Sequence, residues 1–274
     1  MENNFLHLKH KYSYSWILIR EIVITDFKLR YQGSMLGYVW SLLKPLFMFA
    51  ILYVLFGLVL KTGETVEHFP VYLLLGLLLW NFFAEVTSIS LTTIVGKGDL
   101  IRKLNFPKYV LVVSSTIGAF INLTISFVVL IGFMIFNQVD LSWNILYFPL
   151  LVLQLVILSV GVGFMLSALY VKFRDISYIW EIVMQAAFYL TPIFYTMDFV
   201  ANKSLEVAQW QLMNPMAQII QDSRYALVTT QTQTIDDLFS SGIYRLIPIS
   251  ITICIVVLAG WYFKKKSPGF AEEV

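Results

Sequence analysis

Cysteine and histidine are nearly missing from this chain. One cysteine, Cys254, and three histidines, His7, His10 and His68, are spread over 274 residues. A lone cysteine closes no intramolecular disulfide, and no group of His, Cys or acids has the spacing of a metal site. Cys254 reads as a small packing residue in an apolar run. Charge is sparse as well, at 13% of the chain against about 25% in an average soluble domain. No Gly-rich loop ends in Lys-Ser or Lys-Thr, so nucleotide binding of the P-loop kind is excluded. An enzyme acting on polyprenyl-linked sugars would need acids clustered at one membrane face. The acids here are scattered, and Asp236-Asp237 sits in a polar loop. No inverted repeat is evident, which argues against many secondary transporters. Met1–Ser15 is polar and lacks a short apolar run before a small-residue site, so no cleavable signal peptide is expected.

What the chain has is apolar length. Hydrophobic residues make up 58% of it, more than a soluble core of this size hides. A bilayer span needs about 20 mostly apolar residues. Tyr38–Leu60, Val71–Val95, Leu111–Asn137, Ile145–Tyr170, Tyr178–Met197 and Leu246–Phe263 meet that requirement and predict six spans. Lysine and arginine set the orientation. With a cytoplasmic N-terminus, only Lys61, Lys203, Arg224 and Arg245 of the 19 basic residues fall outside. Both termini are then cytoplasmic. The cluster Lys264-Lys265-Lys266 closes the last span and suits anionic headgroups. The expected fold is an all-α polytopic membrane protein with one transmembrane domain over residues 1–274. It divides into an N-terminal interfacial helix (1–32), a six-span bundle (33–264) and a cytoplasmic tail (265–274).

Ahead of the first span, Trp16, Ile19, Val23 and Phe27 recur at helical spacing within Tyr12–Tyr31. This predicts an amphipathic helix along the cytoplasmic interface, as an orientation anchor or as the border of a pathway. Asp26 and Arg30 stand at i, i+4 in the favourable order. The chain continues Arg30-Tyr31-Gln32-Gly33-Ser34-Met35-Leu36-Gly37-Tyr38-Val39-Trp40, with Lys44-Pro45 soon after. Gly33 and Gly37 permit close helix approach. Pro45 is expected to bend the span.

This segment resembles the opening signature of the ABC-type permeases that export lipid-linked cell-surface polysaccharides and teichoic acids. In that family an R-Y-x-x-S-x-L-G-x-x-W-x-x-x-x-P segment leads into the first span. The resemblance implies a cytoplasmic gate at Arg30, Tyr31, Ser34, Gly37 and Trp40. Between the second and third spans, Gly96-Lys97-Gly98-Asp99-Leu100-Ile101-Arg102-Lys103-Leu104-Asn105-Phe106-Pro107 reads as a short helix, either a solvated basic loop or a helix seated in a partner's groove. The family has a Leu-Ile/Val-x-Lys-x-x-Phe-Pro segment here, which implies an ATPase-coupling helix made of Gly98, Leu100, Ile101, Arg102, Lys103, Leu104, Phe106 and Pro107. Its F-R-D-I/V turn matches Phe173-Arg174-Asp175-Ile176 and implies a second contact through Arg174 and Asp175. Phe270-Ala271-Glu272-Glu273-Val274 resembles the family's F-A-x-x-V/I ending.

Pro192 breaks the fifth span near its outer end, and Asp198–Ser241 is the longest non-spanning segment. Asn214-Pro215 is a helix start, and Thr229–Thr234 reads as a mobile turn. The family implies short re-entrant helices here; a simple extracellular loop is the alternative. Aromatics reach 16% of the chain, and rings of this kind stack on sugars. Phe82, Tyr189, Tyr195 and Trp40 are candidates for a glycan path, with core packing the competing use of each ring. Glu85 lies mid-span, where a charge costs roughly 2.5–3.5 kcal/mol on insertion scales. It is a further path or interface candidate, with Asn81 one turn away as its expected partner.

The resemblance implies a channel-forming permease without catalytic residues, metal or cofactor of its own. It implies ATP and Mg bound by a cytoplasmic ATPase partner in two copies, and a second copy of this chain. The cargo would be a polyprenyl-diphosphate-linked glycan, and the location the bacterial cytoplasmic membrane; nucleic acid has no place in this reading. The alternatives are an ABC permease for a small lipid or drug, an ion-coupled carrier resting on Glu85, and a polyprenyl-sugar membrane enzyme.

Overall fold

The computed structural model describes residues 2–31, 39–61, 66–239 and 241–274, and among them every regular element is helical. The gate candidates Ser34 and Gly37, with Gly33, lie outside the described residues. Arg30 and Tyr31 close the first helix, but their side chains are also outside them.

Helix α1 (Glu2–Tyr31) precedes α2 (Val39–Leu52), which continues as a π-helix over Tyr53–Val59. α3 (Phe69–Gly96) leads into the short α4 (Gly98–Lys103), and α5 (Tyr109–Phe136) returns. A 3₁₀ turn, Trp143–Tyr147, opens α6 (Phe148–Lys172), and α7 (Ile176–Leu190) follows a tight turn. Four short helices come next: α8 (Met197–Ala201), α9 (Leu205–Leu212), α10 (Pro215–Leu227) and α11 (Ile235–Leu238). A 3₁₀ turn, Gly242–Arg245, then starts the long α12 (Leu246–Lys266), which a turn joins to α13 (Phe270–Glu273).

Among the described residues, five helices are long and apolar enough to cross a bilayer: Val39–Val59, Phe69–Gly96, Tyr109–Phe136, Trp143–Lys172 and Gly242–Glu273. The helix where the sequence predicts a fifth span in chain order, α7, has 15 residues. That is about 22 Å of helix, short of a hydrocarbon core about 30 Å thick. Pro192 is the reason. It has no amide hydrogen to donate and its ring crowds the preceding turn. The chain turns irregular at Thr191 instead of running to Met197.

α3 is the axis of the bundle. It is apolar on every side, as a helix enclosed by others must be. Val71, Leu73, Leu74, Leu75, Leu77 and Leu79 are fully buried between α5, α6, α10 and α2. Close approach between α3 and α6 depends on Gly163, where a Cβ would stand 2.8 Å from Ser90 Oγ.

α1 packs on α5, and its register differs from the sequence expectation. Ser15, Ile19 and Ile22 are buried, whereas Trp16 is 64% exposed. At 3.6 residues per turn, the buried face is rotated by roughly a quarter turn from the Trp16–Phe27 stripe. Ile17, Ile24 and Leu29 are exposed too, so apolar side chains point both toward and away from the bundle. The start predicted at Asn214-Pro215 is present: Asn214 Oδ1 accepts from the Met216 amide at 3.0 Å, and Pro215 takes the first turn. The stretch expected to be a mobile turn is packed in part, with Thr230 and Gln231 exposed. Thr229, Thr232 and Thr234 are buried, and Asp237 Oδ2 accepts from the Thr234 amide at 2.7 Å.

Candidate functional site

Two regions at opposite ends of the bundle gather the residues singled out above. At one end, α4 hangs between α3 and α5. Six residues cannot hold a helix in water, so its neighbours must hold it. Ile101 and Phe106 are 3% and 4% exposed and enter a cluster with Ile19, Ile22, Val110, Val171, Phe263 and Phe270. Lys97, just ahead of α4, donates to Asp26 Oδ2 of α1 at 2.5 Å. Asp26 thus has a partner 71 positions away that local spacing does not show; the Arg30 side chain, its expected partner, lies outside the described residues.

This divides the predicted coupling set into two faces. Gly98, Ile101 and Phe106 turn inward, while Leu100 and Pro107 are half-buried. Arg102, Lys103 and Leu104 are exposed, with Asp99 paired to Arg102 at 3.2 Å. The expectation that the apolar residues of α4 enter a partner therefore needs correcting. Ile101 and Phe106 serve this chain's own core, and Leu104 is the large apolar side chain that α4 leaves exposed. Val171 of α6 joins the same cluster, so the turn after α6 lies at this end. Phe173, Arg174 and Asp175 are exposed there. Arg174 sits over the Tyr170 ring, 5.2 Å from its centroid. Trp40, on the first turn of α2, is 48% exposed.

At the other end, the break after α7 leaves backbone carbonyls without their helical partners. Tyr195 Oη reaches the carbonyls of Tyr189 at 3.2 Å and Leu190 at 3.1 Å, and accepts from Gln211 Nε2 at 3.0 Å. Further on, Arg224 takes over. Its Nη1 donates to the Pro192 carbonyl at 2.6 Å and its Nη2 to that of Ile193 at 2.5 Å. Nε donates to the Tyr72 carbonyl at 3.0 Å, and Nη1 also reaches Gln221 Oε1 at 2.9 Å. Arg224 is completely buried, and no carboxylate contacts it among the described residues. Desolvation lowers its pKa to about 10, still well above neutral, so it is a buried cation held by carbonyl dipoles. Sequence reasoning counted Arg224 only as an outside charge. No local signal singled it out, since Gln221, Asp222 and Ser223 directly precede it and make a solvated polar face the ordinary reading.

A polar cleft of about 530 Å³ lies beside this lock, lined by Tyr147, Gln154, Gln218, Asp222, Tyr225 and Arg245, among others. Gln154 Nε2 donates to Gln218 Oε1 at 2.8 Å, and Gln218 Nε2 to Asp222 Oδ2 at 2.6 Å. Arg245 lies 3.4 Å from Asp222 and 3.1 Å from Asp236. Burial, opposed by Arg245, raises the Asp222 pKa.

The path candidates do not form one group. Tyr189 and Tyr195 meet around Phe194, at ring distances of 6.0 and 5.2 Å, and Tyr189 is 61% exposed. Phe82 is 2% exposed and packs edge-on against Phe120, which makes it part of the core. Glu85 Oε1 accepts from Asn122 Nδ2 of α5 at 2.8 Å. The partner found is across the helix pair rather than Asn81 along the same helix.

The ABC-2 type transporter profile matches residues 17–228, a stretch that includes α4, the broken α7 and Arg224. The chain belongs to the ABC-2 type transporter family. It is 31% identical to an O-antigen export system permease protein RfbA of Klebsiella pneumoniae, over 97% of this chain and 99% of that protein. An RfbA of Myxococcus xanthus is 25% identical over 97% and 98% of the two chains. The polysialic acid transport protein KpsM of Escherichia coli is 20% identical over 77% and 81%. The ABC-2 assignment makes the chain a multi-pass membrane permease of the polysaccharide-export type. Within such a permease, α4 and the lock at Arg224 mark the two ends of the bundle.

Proposed function

We propose that the chain is the channel-forming subunit of an ATP-driven exporter that carries a polyprenyl-diphosphate-linked polysaccharide, of O-antigen or teichoic-acid type, across the bacterial cytoplasmic membrane. Two copies enclose the channel, and two cytoplasmic ATPase subunits bind ATP and Mg and dock on α4 and on the Phe173–Asp175 turn. In this reading α7 completes a sixth span together with the irregular Thr191–Tyr195. Both termini are cytoplasmic, α1 lies at the inner interface, and α8 to α11 are re-entrant helices at the outer mouth. The exposed rings of Tyr189 and Trp40 are the glycan contacts, and the chain makes no covalent change to its cargo.

The observation that carries the reading is the near full-length likeness to O-antigen permeases. The outward face of α4 agrees with it: charged residues around one exposed leucine, on a helix anchored from behind. Co-purification tests it. A P-loop ATPase encoded beside this chain should associate with it, and Leu104→Asp should abolish both the association and polymer export. A wild-type chain that binds no ATPase, or a Leu104→Asp chain that exports normally, would sink the proposal.

A further inference from the structure

The segment after α12 does not trail away from the bundle. Phe270 is 2% exposed and meets Phe263 edge-on at 5.4 Å, which in turn meets Phe164 of α6 at 4.8 Å. With Phe270 fixed, α13 lies against α4. Val274 then reaches Gly98, the first residue of α4. A Cβ built on Gly98 would stand 2.3 Å from Val274 Cγ1, a separation that atoms do not tolerate. Gly98 has no left-handed backbone to protect, so its missing side chain serves this contact alone.

We propose that Phe270–Val274 is a wedge that sets the position of α4, so that the surface offered to the cytoplasmic ATPase depends on a segment remote in sequence. This rests on the proposed function for the identity of the docking partner. The contact between α4 and the wedge stands without it. Among the described residues α4 has three supports: Asp26 of α1 through Lys97, the cluster around Ile101 and Phe106, to which α1 and Phe270 also contribute, and Val274 against Gly98. Two of them press on the inward face. The third fills the space under the helix start, so it fixes how far Arg102, Lys103 and Leu104 project. Val274 and Gly98 are positioning residues; neither is itself the docking face.

The geometry defines a suppressor experiment on the full chain, purified with its ATPase in lipid nanodiscs. Gly98→Ala should lower permease-stimulated ATP hydrolysis about five-fold or more, the lower end of what overpacking does. Thermal unfolding of the permease should barely move, because the added methyl meets only Val274 and leaves the packing of Ile101 and Phe106 in place. Val274→Ala alone should be close to wild type. The double variant should recover, because removal of Cγ1 leaves the Val274 Cβ 3.5 Å from the new methyl group, an ordinary contact. Full activity in Gly98→Ala, or a double variant as impaired as Gly98→Ala, overturns the wedge. A second arm needs no ATPase. Stopping the chain after Gly269 should speed amide exchange in residues 98–104 by at least about tenfold, while the α3 amides stay protected. Unchanged exchange there overturns the wedge. If wild type binds no ATPase, the proposed function fails and the exchange arm still decides the contact.

Discussion

Arg224 and Gly76 occupy one another's space: a Cβ at Gly76 would lie 2.4 Å from Arg224 Nη2. The guanidinium also covers the Tyr72 ring at 3.6 Å. One side chain thereby joins α3, α10 and the carbonyls released by Pro192. The fold needs both members of this pair, the arginine as donor and the glycine as vacancy.

Removing the donor should be severe. Arg224→Leu leaves the carbonyls of Pro192 and Ile193, which have no helix around them, without that partner, at about 1–3 kcal/mol for each buried acceptor left unsatisfied. A loss of several kcal/mol, or failure to accumulate in the membrane, is expected from thermal unfolding in detergent. Arg224→Lys should rescue only in part, since an ammonium lacks the planar fork that serves carbonyls on both sides.

Filling the vacancy should also destabilise. The guanidinium is fixed by its hydrogen bonds and cannot retreat, so Gly76→Ala should cost about 1–3 kcal/mol as overpacking. Gly118→Ala is the control. It lies inside α5 with nothing within 4 Å of the added methyl, and should stabilise by about 0.5–1 kcal/mol through helix propensity. The two midpoints should move in opposite directions.

Asp222 should make stability depend on acid. Burial raises its folded pKa above the unfolded value of 3.8. Between those two values the folded state binds more protons, so stability falls as pH rises through that window. Above the window the cost is constant, and below it the cost is gone. Asp222→Asn should flatten the profile there while Gln218 keeps an acceptor. A slope unchanged in unfolding scans across that range would rule Asp222 out.

Glu85 should tolerate amide better than hydrocarbon. Glu85→Gln keeps an oxygen for Asn122 Nδ2 and should retain more stability than Glu85→Leu. Glu85→Leu removes that acceptor from a 7% exposed asparagine and should cost about 1–3 kcal/mol. Loss of export in Glu85→Gln with an intact midpoint would instead place Glu85 in the path.

Much of the framework is legible in the chain because it follows from local quantities. Apolar length gives the long helices, and Asn214-Pro215 gives the start of α10. Pro192 gives the end of α7, and Gly96 with Pro107 brackets α4. Each rests on a few neighbouring residues and on the cost of an unpaired backbone group.

The partners are not legible, because packing chooses among residues with equal local claims. Asp26 pairs with Lys97, 71 positions away, a partner that no local spacing marks. Asn81 lies a turn from Glu85, yet Asn122 takes the bond. The stripe from Trp16 looks apolar enough to bury, yet the surface of α5 selects Ser15, Ile19 and Ile22. Arg224 and Gly76 are 148 positions apart, and nothing local marks either as the complement of the other. The sequence by itself determined an apolar, positively anchored, multi-helix chain with a break and a short basic helix at known places. Only the tertiary structure decided which buried polar groups satisfy one another. That choice depends on which helix faces meet, and unsatisfied groups cost too much in an apolar bundle for the wrong pairings to survive.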